Sequence, residues 1–413
     1  METSSRKGAP LRHRTTRLGD DRPAPDSYEA ALIRADQRLK SWEAVYERER
    51  AEAVGLVAEL LSHPPERQEL ILRNNTRYFT WGVLERLLDR SWTQRFESSE
   101  HAEHLAHLAL LVTDRLDASF YSFESIEDLR ARAWGYIGNA RRIRADLGGA
   151  TRAFATAFNH LRHGTREPIE YAALLDLQAS LRRAQRRFVD ALRLLRRAFD
   201  LFVDVSDRHR AGRTLLGMEI VLNYAGHPEM GIPLLYKAVE LIDSSQEPRV
   251  LVCAWHNLID GLVDAGRHLE ARRLLSRVHP LFARFPEVER SRSEWVSGKI
   301  ALHLRKDEEA EALLLRARAG FLAEDAPYEV AMISLQLSAL YSRQGRTQEL
   351  KGLAAEMMAF FSSRQIHREA AAALAFWKHA VDTETAGLEL ATYLVAFLTR
   401  ARYDLDLPFE PPS

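Results

Sequence analysis

Hydrophobic and polar positions along this chain fall into a long series of helix-length patterns, punctuated by turns rich in Gly, Arg, Asp or His. One signal recurs: such a turn, a small or apolar residue that opens a helix, then apolar residues four and seven positions further on. The opening residues are Ala150, Ala191, Gly231, Ala271, Ala310 and Leu350, separated by 41, 40, 40, 39 and 40 positions. A fixed period of this length is the mark of a repeat architecture. Gly226, Gly266 and Gly345 fall where the first helix of a unit ends, at positions that favour a left-handed cap. Pro168, Pro248 and Pro327 lie 80 and 79 apart, each where a new first helix begins, and proline is tolerated in a first helical turn.

The first unit is the clearest. It reads Trp134-Gly135-Tyr136-Ile137-Gly138, a turn at Leu147-Gly148-Gly149, then Ala150, Phe154 and Ala157. These residues and spacings resemble the tetratricopeptide (TPR) signature, with Arg141 standing where that family prefers Tyr. Later units keep fewer marks, among them Leu175, Ala179 and Phe188, then Trp255, Leu258 and Gly266, then Leu337, Tyr341 and Gly345. The resemblance implies an all-α fold: a right-handed α-solenoid of antiparallel helix hairpins, TPR-like, with a long N-terminal helix. A family unit is about 34 residues, so a period near forty lengthens the helices or loops by about one and a half turns.

The expected organisation has five parts. Residues 1–25 are basic, proline-containing and poor in apolar residues, and read as a disordered tail. Residues 26–125 form an N-terminal helical segment with a degenerate hairpin, Phe79 to Phe96 and Glu100 to Thr113. Six TPR-like units occupy 126–365, a capping hairpin 366–403, and an extended tail with Pro408, Pro411 and Pro412 closes 404–413. Within the N-terminal segment, Leu32, Ala35, Leu39, Trp42, Tyr46, Glu49, Ala53, Leu56 and Leu60 make a heptad seam with Glu49 as its one polar fault. Two readings stand open: the seam packs on the chain's own first hairpin, or it makes an oligomer or partner contact through the Leu32–Leu60 helix.

Composition adds restraint. Apolar residues are 46% and charged residues 28%, with a formal net charge of zero and a single cysteine, Cys253. There is no signal-like or membrane-length apolar stretch, which makes a cytoplasmic location the expectation. Phosphate loops, nucleophile elbows and His-Glu-x-x-His are all missing, and Gly148-Gly149 reads as a hairpin turn. His101, His104 and His107 fan out around a helix and read as a solvated face. The expectation is therefore no enzyme, no cofactor and no metal. Charge is unevenly spread, however: 126–215 hold 18 Lys/Arg against 10 Asp/Glu.

In TPR-like proteins the first helix of each hairpin lines a concave groove. Projected on this sequence, that implies a partner-binding groove of Arg132, Asn139 and Arg142; Asp176, Ser180 and Arg183; Arg213 and Asn223; His256, Asn257 and Asp260; and Arg292, Trp295 and Lys299. Asparagine offers a donor and an acceptor to a peptide backbone, and arginine forks onto carboxylates. Asn139 resembles the groove asparagine of peptide-binding TPR proteins. Their carboxylate clamp also wants a lysine four residues earlier, where this chain has Gly135. The expected partner is a protein or peptide of acidic or extended character, bound by a scaffold or adaptor, with no membrane involved. A long helix before such a solenoid also resembles bacterial peptide sensors, of the kind without a DNA-binding helix-turn-helix. The competing class is nucleic-acid binding through the basic middle. It needs aromatic residues interleaved with arginine on the groove, and the first three units contribute none to the projected set.

Overall fold

The structure is a computed structural model and describes residues 25–282, 284, 288–362, 368–401 and 407–412. The expectation for residues 1–25 therefore lies outside the described residues, except that Pro25 opens the first helix. The chain divides into two compact units, residues 1–87 and 88–413.

The first unit begins with α1 (Pro25–Leu61), which ends just before Pro64 and Pro65; Pro65 in turn opens α2 (Pro65–Asn74). A 3-10 turn at Thr76–Tyr78 leads into α3 (Trp81–Gln94). The heptad seam of α1 splits in two. Ala53, Val57 and Leu60 are fully buried, whereas Leu32 and Trp42 are 54% and 46% exposed. Val57 has replaced the expected Leu56 on the buried side, the drift that an α-helix of 3.6 residues per turn imposes on a seven-residue pattern. Glu49 is no fault: its carboxylate accepts the N–H of Gly82 at 3.4 Å, one of the orphan donors in the first turn of α3. The two backbones meet so closely there that a Cβ on Gly82 would collide with the Glu49 carbonyl. Arg50 forks onto Glu85 at 2.7 and 3.0 Å, and Tyr46 packs edge-on to Trp81 with ring centroids 5.5 Å apart.

The second unit continues with α4 (Ser99–Thr113) and a short α5 (Ala118–Tyr121). Hairpins then follow in step: α6 (Phe123–Ile143) with α7 (Leu147–Leu161), α8 (Pro168–Ala184) with α9 (Phe188–Asp204), and α10 (Arg208–Tyr224) with α11 (Ile232–Leu241). Next come α12 (Pro248–Asp264) with α13 (His268–Phe282), α14 (Val288–His303) with α15 (Asp307–Ala323), α16 (Pro327–Arg343) with α17 (Thr347–Ser362), and α18 (Arg368–Asp382) with α19 (Leu388–Ala401). Each second helix also packs on the next first helix, as α7 does on α8 and α9 on α10, and first helices meet directly at α6–α8 and α12–α14. This is an all-α, TPR-like solenoid of antiparallel hairpins. Among the described residues there is no strand, and no helix is long and apolar enough to cross a membrane.

The turn of the first hairpin sits earlier than the sequence pattern suggested, and most second helices open three residues before their recurring small residue. Leu147-Gly148-Gly149 is not a turn but the first turn of α7, capped by Asp146, whose carboxylate accepts the Gly149 N–H at 2.8 Å. The true turn centres on Ala145, with φ 62°. Arg186, Gly226, Gly266, Arg305 and Gly345 occupy the same left-handed site in the following hairpins. In each, the next N–H bonds back to a carbonyl of the preceding helix, as Asp146 does to Arg141 (2.9 Å) and Arg267 to Leu262 (2.8 Å). The recurring small residue is then the fourth of the second helix in most units, its first inward position, which is why Ala150, Ala191, Ala271 and Ala310 are completely buried. Across the hairpin a cleft accepts a large side chain: a Cβ on Gly138 would lie 2.9 Å from the Phe154 ring, and one on Gly298 2.8 Å from Leu314.

The last hairpin keeps the period, with α18 and α19 each starting 41 residues after α16 and α17. But α19 also runs along α16, with the Thr399 hydroxyl 3.2 Å from the Met332 sulfur. The cause lies in α16, which is apolar on nearly every side; no residue from Pro327 to Ser342 is exposed. Residues 407–412 carry no helix. They fold back so that Phe409 packs against Phe376 and Phe397, and its N–H donates to Glu369 at 2.9 Å.

Two glycines separate steric from conformational demands. Gly82→Ala must push α1 off α3 and should destabilise the chain by about 2 kcal/mol or more. Gly266→Ala meets nothing within 4 Å and should cost about 1 kcal/mol, from the left-handed backbone alone. Chemical denaturation of both variants checks the order; equal costs would contradict the close contact at Gly82.

Candidate functional site

The first helices α6, α8, α10, α12 and α14 carry the fourteen positions projected for the groove. Many of them turn out to be tied across successive repeats. Arg132 forks onto Glu170 of α8, with its Nε at 3.1 Å. Arg213 pairs with Glu247, at the start of α12, at 2.9 Å. Glu219 of α10 accepts from Asn223 on its own helix and from Asn257 of α12, the latter at 3.0 Å. Lys299 of α14 donates to Asp260 and Asp264 of α12 at 2.6 and 2.7 Å. The Trp295 indole N–H reaches Gln336 of α16 at 2.8 Å, while its ring sits edge-on to Phe321. These five clasps hold neighbouring repeats in register. His256 and Arg292 are half-buried on the same helices, and so is Ser180.

The remaining positions, Asn139, Arg142, Asp176 and Arg183, behave differently. Asn139 is 4% exposed rather than open. Its carbonyl oxygen accepts both Nε and Nη2 of Arg142, at 3.1 and 2.9 Å, while its amide nitrogen makes no hydrogen bond among the described residues. Arg183 lies 5.2 Å from the centre of the Tyr224 ring. Neither Arg142 nor Arg183 forms an ion pair among the described residues. Asp176 is half-buried, and desolvation raises its carboxyl pKa against the pull of Arg213 and Arg183.

Sequence reasoning missed part of this cluster. Arg95, near the end of α3, joins it from upstream of the repeats: its guanidinium lies 3.7 Å above Trp92 and 4.5 Å from Phe96. Trp92 in turn stacks on Tyr136 of α6 at 5.3 Å. The repeat period begins at α6 and does not reach Arg95, so no spacing argument pointed to it. Burial, with the positive charges of Arg183 and Arg95 nearby, pulls Arg142 down to about 10; burial and Arg213 do the same to Arg95. Aromatic side chains stand beside these arginines, outside the projected positions, and are engaged with one another and with arginine.

Gly135, where the carboxylate clamp would need lysine, faces Leu174 of α8 so closely that a Cβ would collide with it. At the other end, burial opposes the charge of Lys299, yet Asp260 and Asp264 hold it above the usual lysine range. Burial also pushes the Glu219 carboxyl up, against its two asparagine donors. The histidines of α4 do not converge: His101 and His104 rings lie 6.4 Å apart, and His107 turns to Glu103 and Trp134.

Two solved structures share this architecture. One is a Rap protein complexed with competence and sporulation factor: 13% identical, covering 78% of this chain and 87% of its own, with a TM-score of 0.51. The likeness is one of fold. The apo form of RapI is 10% identical, with 79% of this chain and all (100%) of that one covered and a TM-score of 0.53. No protein-family model and no curated protein matches the sequence.

Because Glu219 has a raised pKa in the folded chain, its contribution to stability is complete below its unfolded value of 4.5 and is lost as pH rises through the folded value. Asn223 and Asn257 donate to different oxygens of the Glu219 carboxylate, so Glu219→Gln keeps an acceptor for only one of them, but it removes the charge and with it that pH-dependent loss. The thermal midpoint of the variant relative to the parent should therefore rise from pH 4 to pH 7. A pH-independent difference in thermal midpoint would refute this account.

Proposed function

We propose that the chain is a non-catalytic binding protein whose groove, along α6 to α12, takes an extended protein or peptide segment of acidic character, and that it works as a peptide-responsive regulator. The observation that carries this reading is the contrast within the groove. Half of its projected side chains are spent on holding repeats together, while the Asn139 amide and the Arg142 and Arg183 guanidinium groups keep donors in hand. Those donors suit backbone carbonyls and carboxylates. The groove has an end: from Pro327 to Ser342, α16 offers no exposed residue beyond it. A ligand lying there touches several first helices at once, so its binding is coupled to their spacing, as a regulator requires. A solved structure of the same fold holding competence and sporulation factor supports the peptide class.

A second contact is available on α1, where Leu32, Ile33 and Trp42 are exposed. The nucleic-acid reading gains little from the basic middle. Arg187 and Arg193 share Asp190, Arg196 pairs with Asp200 and Arg210 with Asp207, and the Trp92 face that a base would use is already under Arg95.

The test is a synthetic peptide array followed by fluorescence titration of the peptides retained by the full chain. Asn139→Ala should weaken every bound peptide by about 1–3 kcal/mol, since a ligand carbonyl loses its donor. Arg132→Ala, which breaks the clasp to Glu170, should lower the thermal midpoint yet leave affinity within about 0.5 kcal/mol. If Asn139→Ala binds all of them as tightly as the parent, the groove is not the site.

A further inference from the structure

The basic end of the groove holds more charge than its own carboxylates balance. Arg95 follows the end of α3, while Arg142 and Arg183 each stand one residue before the ends of α6 and α8, two first helices that meet directly. Trp92, beneath Arg95, stacks on Tyr136 of α6, and Arg142 feels the charge of both other arginines. Each is braced by a partner without charge: Arg95 by the Trp92 and Phe96 rings, Arg142 by the Asn139 carbonyl oxygen, and Arg183 by the Tyr224 ring. Solvated arginines on a convex face adopt no such arrangement, because nothing there holds like charges together at a cost in solvation. A guanidinium has five N–H donors. Arg142 spends its Nε–Nη2 edge on Asn139, which leaves the Nη1–Nη2 edge, a planar fork of the size of a carboxylate.

We propose that Arg142, Arg183 and Arg95 form a subsite for one carboxylate group of the bound segment, with the Asn139 amide donating to the adjacent backbone carbonyl. This rests on the groove reading above and specifies its ligand. The carboxylate accepts from the free edge of Arg142 and from Arg183, while Arg95 adds long-range attraction. Asp176, on the Arg183 side, opposes a second negative charge, so the subsite favours a carboxylate over a phosphate dianion. The group comes from the free C-terminus of the segment or from an Asp or Glu side chain.

Small anions test the subsite without any peptide. Thermal midpoints of the full chain are measured at pH 7 in sodium acetate, sodium chloride and sodium phosphate at equal ionic strength, for the parent, Arg142→Gln, Arg183→Gln and Arg187→Gln. Acetate should stabilise the parent over chloride and over phosphate. Arg142→Gln and Arg183→Gln should bind acetate at least about tenfold more weakly, with unchanged or higher midpoints in chloride because the repulsion is relieved. Arg187→Gln, whose residue is paired with Asp190, should respond to acetate as the parent does. An acetate effect that is absent, that persists in both groove variants, or that phosphate exceeds overturns the subsite, and the peptide array still judges the groove independently. Acetyl-tetra-alanine as free acid, as amide, and as an amide with one Ala replaced by Asp then identifies the source. Stabilisation by the free acid points to the chain terminus and by the Asp amide to a side chain; equal effects of all three forms reject a carboxylate site.

Discussion

The spacing between the two helices of each hairpin is the constraint on which the rest depends. It is set where a buried small residue near the start of the second helix meets the first helix, and where a glycine such as Gly138 or Gly298 admits Phe154 or Leu314 from the other side. Close-packed interiors tolerate little change in volume, so these contacts fix the angle at which each hairpin leaves the turn. The left-handed residue of that turn ends the first helix and sets the start of the second. Because successive hairpins repeat both devices, the same face of each first helix recurs roughly every forty residues, and side chains far apart in sequence become neighbours.

Two demands compete for the groove's polar side chains. Repeats that touch only their neighbours need contacts across each joint, and the ties between Arg132 and Glu170, between Arg213 and Glu247, and from Lys299 to its two aspartates meet that need. Where such a tie is missing, at Asn139, Arg142 and Arg183, charge stays uncompensated in a partly desolvated place. Uncompensated groups of this kind cost stability, and binding sites are where proteins tolerate them. Packing of α19 on α16 sets the other limit, since it helps leave α16 without an exposed residue from Pro327 to Ser342.

The N-terminal helix shows how one amphipathic pattern serves two fates. From Tyr46 onward its stripe is covered within the first unit, with Glu49 recruited to cap α3. Before that, Leu32 and Trp42 keep their apolar surface exposed. A heptad pattern reports that a stripe will be buried, but not by what, because an intramolecular helix and a partner helix offer the same apolar surface.

The sequence alone determined the all-helical repeat, its period, the helix-opening prolines and the left-handed positions of Gly226, Gly266 and Gly345. These follow from local rules: side-chain periodicity, the fixed φ of proline and the freedom of glycine. It misplaced the turn at Ala145 by three residues, because a non-glycine left-handed residue leaves no mark in composition. Of the positions projected onto a groove, it could not say which side chains are tied and which keep donors free. That choice depends on what the next repeat places opposite, Glu170 against Arg132 and Leu174 against Gly135. Arg95 could enter only through the fold, since it joins the cluster from a helix outside the repeat. The turn of α19 onto α16 was likewise decided by tertiary structure, where the apolar surface of one helix has to be covered by whichever element lies within reach.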